Sequence, residues 1–314
     1  MNLLCTNGQI IIKVDFMKRR IRIIIMIILL AVGVGILLYP DIMNWYESRQ
    51  HVAFLQEYNE IIDLMSPEEI EYELERARVF NEGITDISVN DPWGEGANDV
   101  SGTSVYYSLL NFTGNGIMGR IEIPRIDVDL PVFHGSTSAV LDLGVGHMPH
   151  SSLPIGGYGN HSILTAHTGL VNSRLFTDLI DLTYGDVFVV TVATNRIAFE
   201  VDRIDVVLPH EIDILQSYED RDLITLVTCT PYGVNSHRLL VRGTRVPYFE
   251  GMLENIASID RELNIRHLAV IGMLAFVTLV SFIRWLKRKR RKSKKAMNDL
   301  NNKHEREYAE IVWE

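Results

Sequence analysis

Residues 225–245 read TLVTCTPYGVNSHRLLVRGTR. Two apolar runs, Leu223 to Val227 and Leu239 to Val241, flank a polar loop holding Pro231 and Gly233, the pattern of a strand, a connection and a second strand. Cys229 falls where the first strand gives way to the loop, and Arg238 where the second begins. Antiparallel pairing of the two would set a thiol and a guanidinium side by side at one edge of a sheet. A nucleophile beside a fixed cation is the core of a covalent-catalysis site.

Outward from that stretch, the texture from Gly116 onward is β. Ile117, Arg120 to Ile123 and Asp127 to Leu130 alternate or nearly so, with Pro124 and Pro131 as punctuation. His161 to Ala166 reads as a further strand that delivers His167 to its end, just before Gly169. Arg174 to Leu182 fits a short amphipathic helix, followed by strands at Val187 to Val192 and Ile197 to Val207. Seven or eight short strands with little helix between them predict a mainly β domain, closed as a barrel or packed as a sandwich.

Upstream, Asp41 to Met65 carries apolar residues at helical spacing. Ser66-Pro67-Glu68-Glu69 supplies a capping box for a second helix that should run to about Phe80 and stop before Gly83. Residues 83–103 lose periodicity and gather Gly, Asn, Asp and Ser, so they read as a loop. Inside it sits Asp91-Pro92-Trp93, an aromatic where a solvated linker would have none.

Two long apolar runs bracket all of this. Ile23 to Tyr39 is preceded by Lys18, Arg19, Arg20 and Arg22, and Leu268 to Ile283 is followed by a dense basic run from Arg284 to Lys295. The first run is at the lower length limit of a membrane span, and Trp285 and Leu286 extend the second to it; both basic clusters favour the cytoplasmic side, leaving residues 40–267 outside. No small-residue cleavage pattern follows the first run, which argues for an anchor over a removable signal peptide. The chain therefore divides into a cytoplasmic leader (1–22), a span (23–39), N-terminal helices (40–82), a loop (83–103), a β domain (104–250), a linker (251–267), a second span (268–286) and a basic cytoplasmic tail (287–314). Met17 begins a second plausible start, MKRRIRIII.

Between Asp41 and Arg266 there are 14 arginines, no lysine and 34 acidic residues, a net charge of −20, so the outer domain is no nucleic-acid binder. The chain has two cysteines, Cys5 and Cys229, on opposite sides of the first apolar run, so they do not pair. Cys229 is then either a small buried apolar residue or a working thiol. His167 is the candidate partner among ten histidines. His147, His150 and His161 with Cys229 offer an alternative as metal ligands, on the weak ground of one His-x-x-His spacing. Arg238 is either a surface strand residue or a clamp for an oxyanion.

Leu226-Val227-Thr228-Cys229, with Arg238 nine residues on and Ala166-His167-Thr168-Gly169 upstream, resembles the signature of the sortases. The run from Thr230 to Gly243 is similar to that of class C, pilus-building members. Gly119 to Pro124 and Ser152 to Gly157 also resemble the family core. Asp91-Pro92-Trp93 matches the Asp-Pro-aromatic motif of the class C lid loop. The resemblance implies a closed sortase-type β-barrel and a cysteine transpeptidase without cofactor or metal. Cys229 would be the nucleophile, His167 the general acid and base, and Arg238 the oxyanion or substrate clamp. Asp91, Pro92 and Trp93 would form the lid, with Trp93 covering the thiol as a substrate mimic. The donor would be a pilin or surface protein with an LPXTG-like sorting signal, and the acceptor a pilin lysine amine. A housekeeping sortase that attaches proteins to cell-wall peptide, a thiol protease, and a membrane-tethered binding module with an inert Cys229 are the alternatives.

Overall fold

The computed structural model describes residues 4–84, 91, 93, 105–170, 173–211 and 215–253, with isolated helical positions at Gly272, Val277, Val280, Ser281 and Arg284. Contacts divide the chain into two units, Met1–Asp260 and Arg261–Glu314.

The first unit opens with a single helix, α1 (Leu4–Leu64), that contains Pro40. The sequence reading placed a boundary there, between the span and the N-terminal helices. The helix runs through it instead, since one proline removes one backbone donor and flanking turns hold the rest. Its part from Ile24 to Leu64 includes an apolar window that is long enough to cross a membrane and is not buried by the rest of the fold. The second apolar run, 268–286, lies largely outside the described residues. Helix α2 (Pro67–Glu82) starts at the capping box: Ser66 Oγ accepts from the Glu69 N–H, and the Glu69 carboxylate accepts from the Ser66 N–H at 2.8 Å.

Eight strands follow: β1 (Ile117–Ile123), β2 (Val128–His134), β3 (Val145–His147) after the short α3 (Ser138–Leu141), β4 (His161–Thr165), β5 (Val187–Val192), β6 (Asn195–Val207), β7 (Leu223–Thr230) and β8 (His237–Val246). They close in the order β1-β2-β3-β4-β7-β8-β6-β5, which removes every free sheet edge. The β2/β3 and β4/β7 pairs are parallel and the others antiparallel. The three-residue β3 is too short to show alternation in the sequence and exists through its pairing with β2 and β4. One sequence expectation changes. The expected helix over Arg174 to Leu182 is a 3₁₀ turn, Thr177–Asp181, which suffices to bury Leu179.

Alternation along the strands sorts their side chains. Leu164, Ile224, Leu226, Leu239 and Val241 join Ile121, Phe188 and Phe199 in the barrel core. Gly243 of β8 leaves the space for the stacked Phe188–Phe199 pair, since a Cβ there would come within 2.6 Å of the Phe188 ring. The same core receives Tyr58 and Ile62 of α1 and Ile70, Leu74 and Ala77 of α2, so the helices brace the barrel. Tyr58 Oη donates to Met118 O and accepts from the Ala193 N–H, tying α1 to both sides of the β1/β5 pair.

Asn81 ties α2 down in the same way. Its Nδ2 donates to Leu153 O at 3.1 Å and its Oδ1 accepts from the Leu153 N–H at 2.7 Å, in a buried setting. Replacing Asn81 by Leu strands both backbone groups and should cost about 2 kcal/mol. Thermal unfolding of the full-length chain in detergent should show a midpoint lowered by several degrees. An unchanged midpoint would mean that this pairing does not hold α2.

Candidate active site

The geometry begins with one register. In the β7/β8 pair Cys229 stands opposite Arg238, and two residues back Val227 stands opposite Leu240. In the parallel β4/β7 pair Ile163 aligns with Thr225 and Thr165 with Val227. The pairing continues one step, with the Ala166 N–H donating to Val227 O at 3.2 Å and Thr228 Oγ1 donating to Ala166 O at 2.8 Å. His167 thus leaves β4 at the end of the barrel where Cys229 leaves β7. Since Leu226 and Val241 point into the core, Val227, Cys229, Arg238 and Leu240 share the outer face.

That outer face is covered. Ile163, Val227 and Leu240 form a small apolar cluster with Met148 and Leu215, and Trp93 and Val207 pack against it. Cys229 is a free thiol and only 7% exposed.

Arg238 is held on two edges. Its Nη1 donates to the carbonyls of Asn235 and His237 at 3.0 and 3.1 Å, within its own loop. Its Nε and Nη2 make a two-point ion pair with Asp91 at 2.6 and 2.8 Å, well shielded from solvent. The guanidinium carbon also lies 4.8 Å from the Trp93 ring centroid, a cation–π contact. On its other side Trp93 donates Nε1–H to His167 Nδ1 at 3.2 Å. Asp91 and Trp93 therefore bind the guanidinium and the imidazole at once, while Pro92 lies outside the described residues.

The charges follow from this packing. Burial pushes the Cys229 thiol up to about 11; Arg238 pulls it down, and Asp91 pushes it further up. Burial also holds His167 below the usual imidazole value, partly offset by Asp142. In this arrangement the sulfur is protonated and the ring neutral at physiological pH, a resting pair.

The other histidines are placed elsewhere. His147 is fully buried, with Nδ1 on Tyr106 Oη at 2.8 Å and Nε2 on Ser152 O at 2.8 Å. His161 bridges Gln216 O and Thr225 Oγ1. Both rings are occupied on each nitrogen, so neither has an electron pair free for a metal. Among the described residues no three His, Cys, Asp or Glu side chains gather as a metal site. Sequence reading missed Asp142, whose Oδ1 lies 3.8 Å from His167 Nε2. It also missed the outer cluster as a unit, since Met148 and Leu215 come from connections without periodicity.

Residues 121–246 match the family profile described as a sortase domain. Sortase A of Bacillus anthracis is 30% identical over 130 residues, 41% of this chain and 60% of that protein. The matched stretch spans about half to three-fifths of the length of the curated relatives. Among solved structures, sortase C-1 of Streptococcus pneumoniae is similar over 64% of this chain and all of its own, at 38% identity and a TM-score of 0.56. Sortase C-1 of Actinomyces oris is 45% identical, with 58% of this chain and all of that one covered, at a TM-score of 0.55. A correspondence at that identity over the whole of a solved sortase C chain, on the same barrel, makes this chain a member of the sortase family of cysteine transpeptidases, in its class C branch.

Proposed function

We propose that this chain is a membrane-anchored transpeptidase that cleaves an LPXTG-like sorting signal between Thr and Gly and joins the new acyl end to a pilin lysine amine, building pili. The observation that carries this reading is the Cys229–Arg238 pairing with Asp91 and Trp93 seated on it. Asp91 presents a carboxylate to the Nε/Nη2 fork of Arg238, where a carbonyl or oxyanion oxygen of a substrate would bind. Trp93 lies on an apolar strip where a donor side chain would lie. The pair resembles a tethered substrate in both its polar and its apolar half.

Once the lid leaves, Arg238 remains aimed by its own loop carbonyls. The Cys229 proton passes to His167, giving thiolate and imidazolium. The thiolate adds to the threonine carbonyl carbon, and Arg238 holds the oxyanion. As the C–N bond to glycine breaks, the imidazolium gives its proton to the leaving amine, and a thioester remains. The acceptor amine then attacks the thioester carbon, passes a proton to His167, and the C–S bond breaks. The thioester conserves the energy of the peptide bond, so no nucleotide is consumed.

The lysine-free, acidic outer domain suits this chemistry, since its own surface offers no lysine amine to a thioacyl group. We place residues 40–267 outside the cell and both termini in the cytoplasm, on the strength of the first apolar helix and the basic clusters flanking the two apolar runs.

Incubation of the full-length chain in detergent with a sorting-signal peptide should yield a thioacyl adduct on Cys229 by mass spectrometry, and none with Cys229→Ala. An added lysine amine should divert the adduct from hydrolysis to a new amide. Release of free acid alone, unaffected by amine, would identify a thiol protease instead, and transfer only to cell-wall peptide a housekeeping sortase. The lid makes a separate prediction. Asp91→Ala or Trp93→Ala should speed iodoacetamide labelling of Cys229 roughly tenfold, the effect of about 1.4 kcal/mol of lost closure. Equal labelling rates would remove the lid from the mechanism.

A further inference from the structure

His167 presents two polar edges, and each meets a different partner. The Trp93 indole N–H donates to Nδ1 at 3.2 Å, so Nδ1 carries a lone pair while the lid is closed. The single proton of the neutral ring then sits on Nε2, which faces Asp142 Oδ1 at 3.8 Å. Asp142 caps the C-terminal end of α3, and its backbone N–H reaches back to Ser138 O and Val140 O, so the carboxylate stands on an anchored turn. Its side chain is 66% exposed, against 20% for that of His167. Among the described residues it pairs with no arginine.

The lid indole and the reacting proton therefore compete for Nδ1. An imidazolium carries a hydrogen on both nitrogens, so it cannot accept from Trp93, and forming it requires the indole to withdraw. Nε2–H keeps its outlook on Asp142 in either state. At the same end of the barrel Cys229 stands opposite Arg238, whose charge Asp91 neutralises while the lid is shut. Asp142 is the charged group that acts on the ring, and its carboxylate favours the imidazolium.

We propose that Asp142 is a positioning residue of the acyl transfer, holding the Nε2 edge of His167 so that Nδ1 is the nitrogen that takes the Cys229 proton and returns it to the leaving amine. The inference rests on the transpeptidase reading. In its step the Cys229 S–H bond breaks and the Nδ1–H bond forms; that proton later leaves Nδ1 for the amine nitrogen as the peptide C–N bond breaks. Asp142 remains ionised throughout and exchanges no proton, acting through the ring as the orienting member of a nucleophile–base pair does. Burial of the ring also lowers its basicity, and the Asp142 charge opposes that.

The test uses the full-length chain in detergent micelles, carrying Trp93→Ala to hold the lid open, with histidine-selective isotope labelling. The His167 signal is assigned by its loss in His167→Gln. Asp142→Asn should lower the His167 titration midpoint by about half a pH unit, as expected for one partly solvated charge at this distance. It should also lower kcat/KM for peptide transfer roughly threefold, the share of imidazolium lost with that midpoint shift. Asp142→Glu should restore most of both. An unmoved midpoint, or a lowered midpoint with unaltered kcat/KM, overturns the inference. Failure of the underlying reading looks different: no thioacyl adduct on Cys229 in the chain with Asp142 intact.

Discussion

The β7/β8 register is the constraint from which the site follows. An antiparallel pair with Cys229 opposite Arg238 fixes a sulfur and a guanidinium on the same outer face without any further device. A slip of one residue would turn one of the two into the core, where Leu226, Leu239 and Val241 already lie. Barrel closure protects that register, because β7 is hydrogen-bonded on both sides and buried along its whole length. The parallel neighbour β4 then brings His167 to the same end by strand length alone.

Against this frame sit Asp91 and Trp93, the proposed lid. Asp91 and Trp93 contact the guanidinium, the imidazole and the apolar strip together, and on the proposed reading each contact holds back the chemistry in a distinct way. Burial and the Asp91 charge keep the thiol protonated; the indole keeps the imidazole neutral; the carboxylate fills the donor fork of Arg238. The Asp91–Arg238 pair is well shielded, so breaking it inside the fold would be costly, but lid withdrawal returns both charges toward water and lowers that cost. On the proposed reading, a substrate that offers its own oxygen to Arg238 and its own side chain to the strip replaces what the lid gives up.

Much of this was legible in the sequence, for reasons that can be named. Two apolar runs around a Pro- and Gly-containing loop mark a strand pair, and Cys229 and Arg238 sit at its limits. The capping box before α2 and the strand ending at His167 are equally local signals. Strand direction is not local: alternation in His161 to Thr165 is the same whether β4 runs parallel or antiparallel to β7. The three residues of β3 are too few to show a pattern, and Pro40 reads as a break although α1 passes through it. The contact of Asp91 with Arg238 spans 147 residues, and only family resemblance suggested it beforehand. Asp142 carried no signal at all, because its meaning comes from the turn after α3 lying against the end of β4.

The central claim is that the closed lid stores Cys229 as a neutral thiol and that its departure turns the same sulfur into a nucleophile. Thiolate absorbance, titrated against pH as the difference between the full-length chain and its Cys229→Ser variant, measures this directly. The account predicts a midpoint near 11 with the lid intact and a clearly lower one in Asp91→Ala, where both the covering segment and its charge are lost. A midpoint near the ordinary thiol value of about 8.5 in both proteins would contradict it.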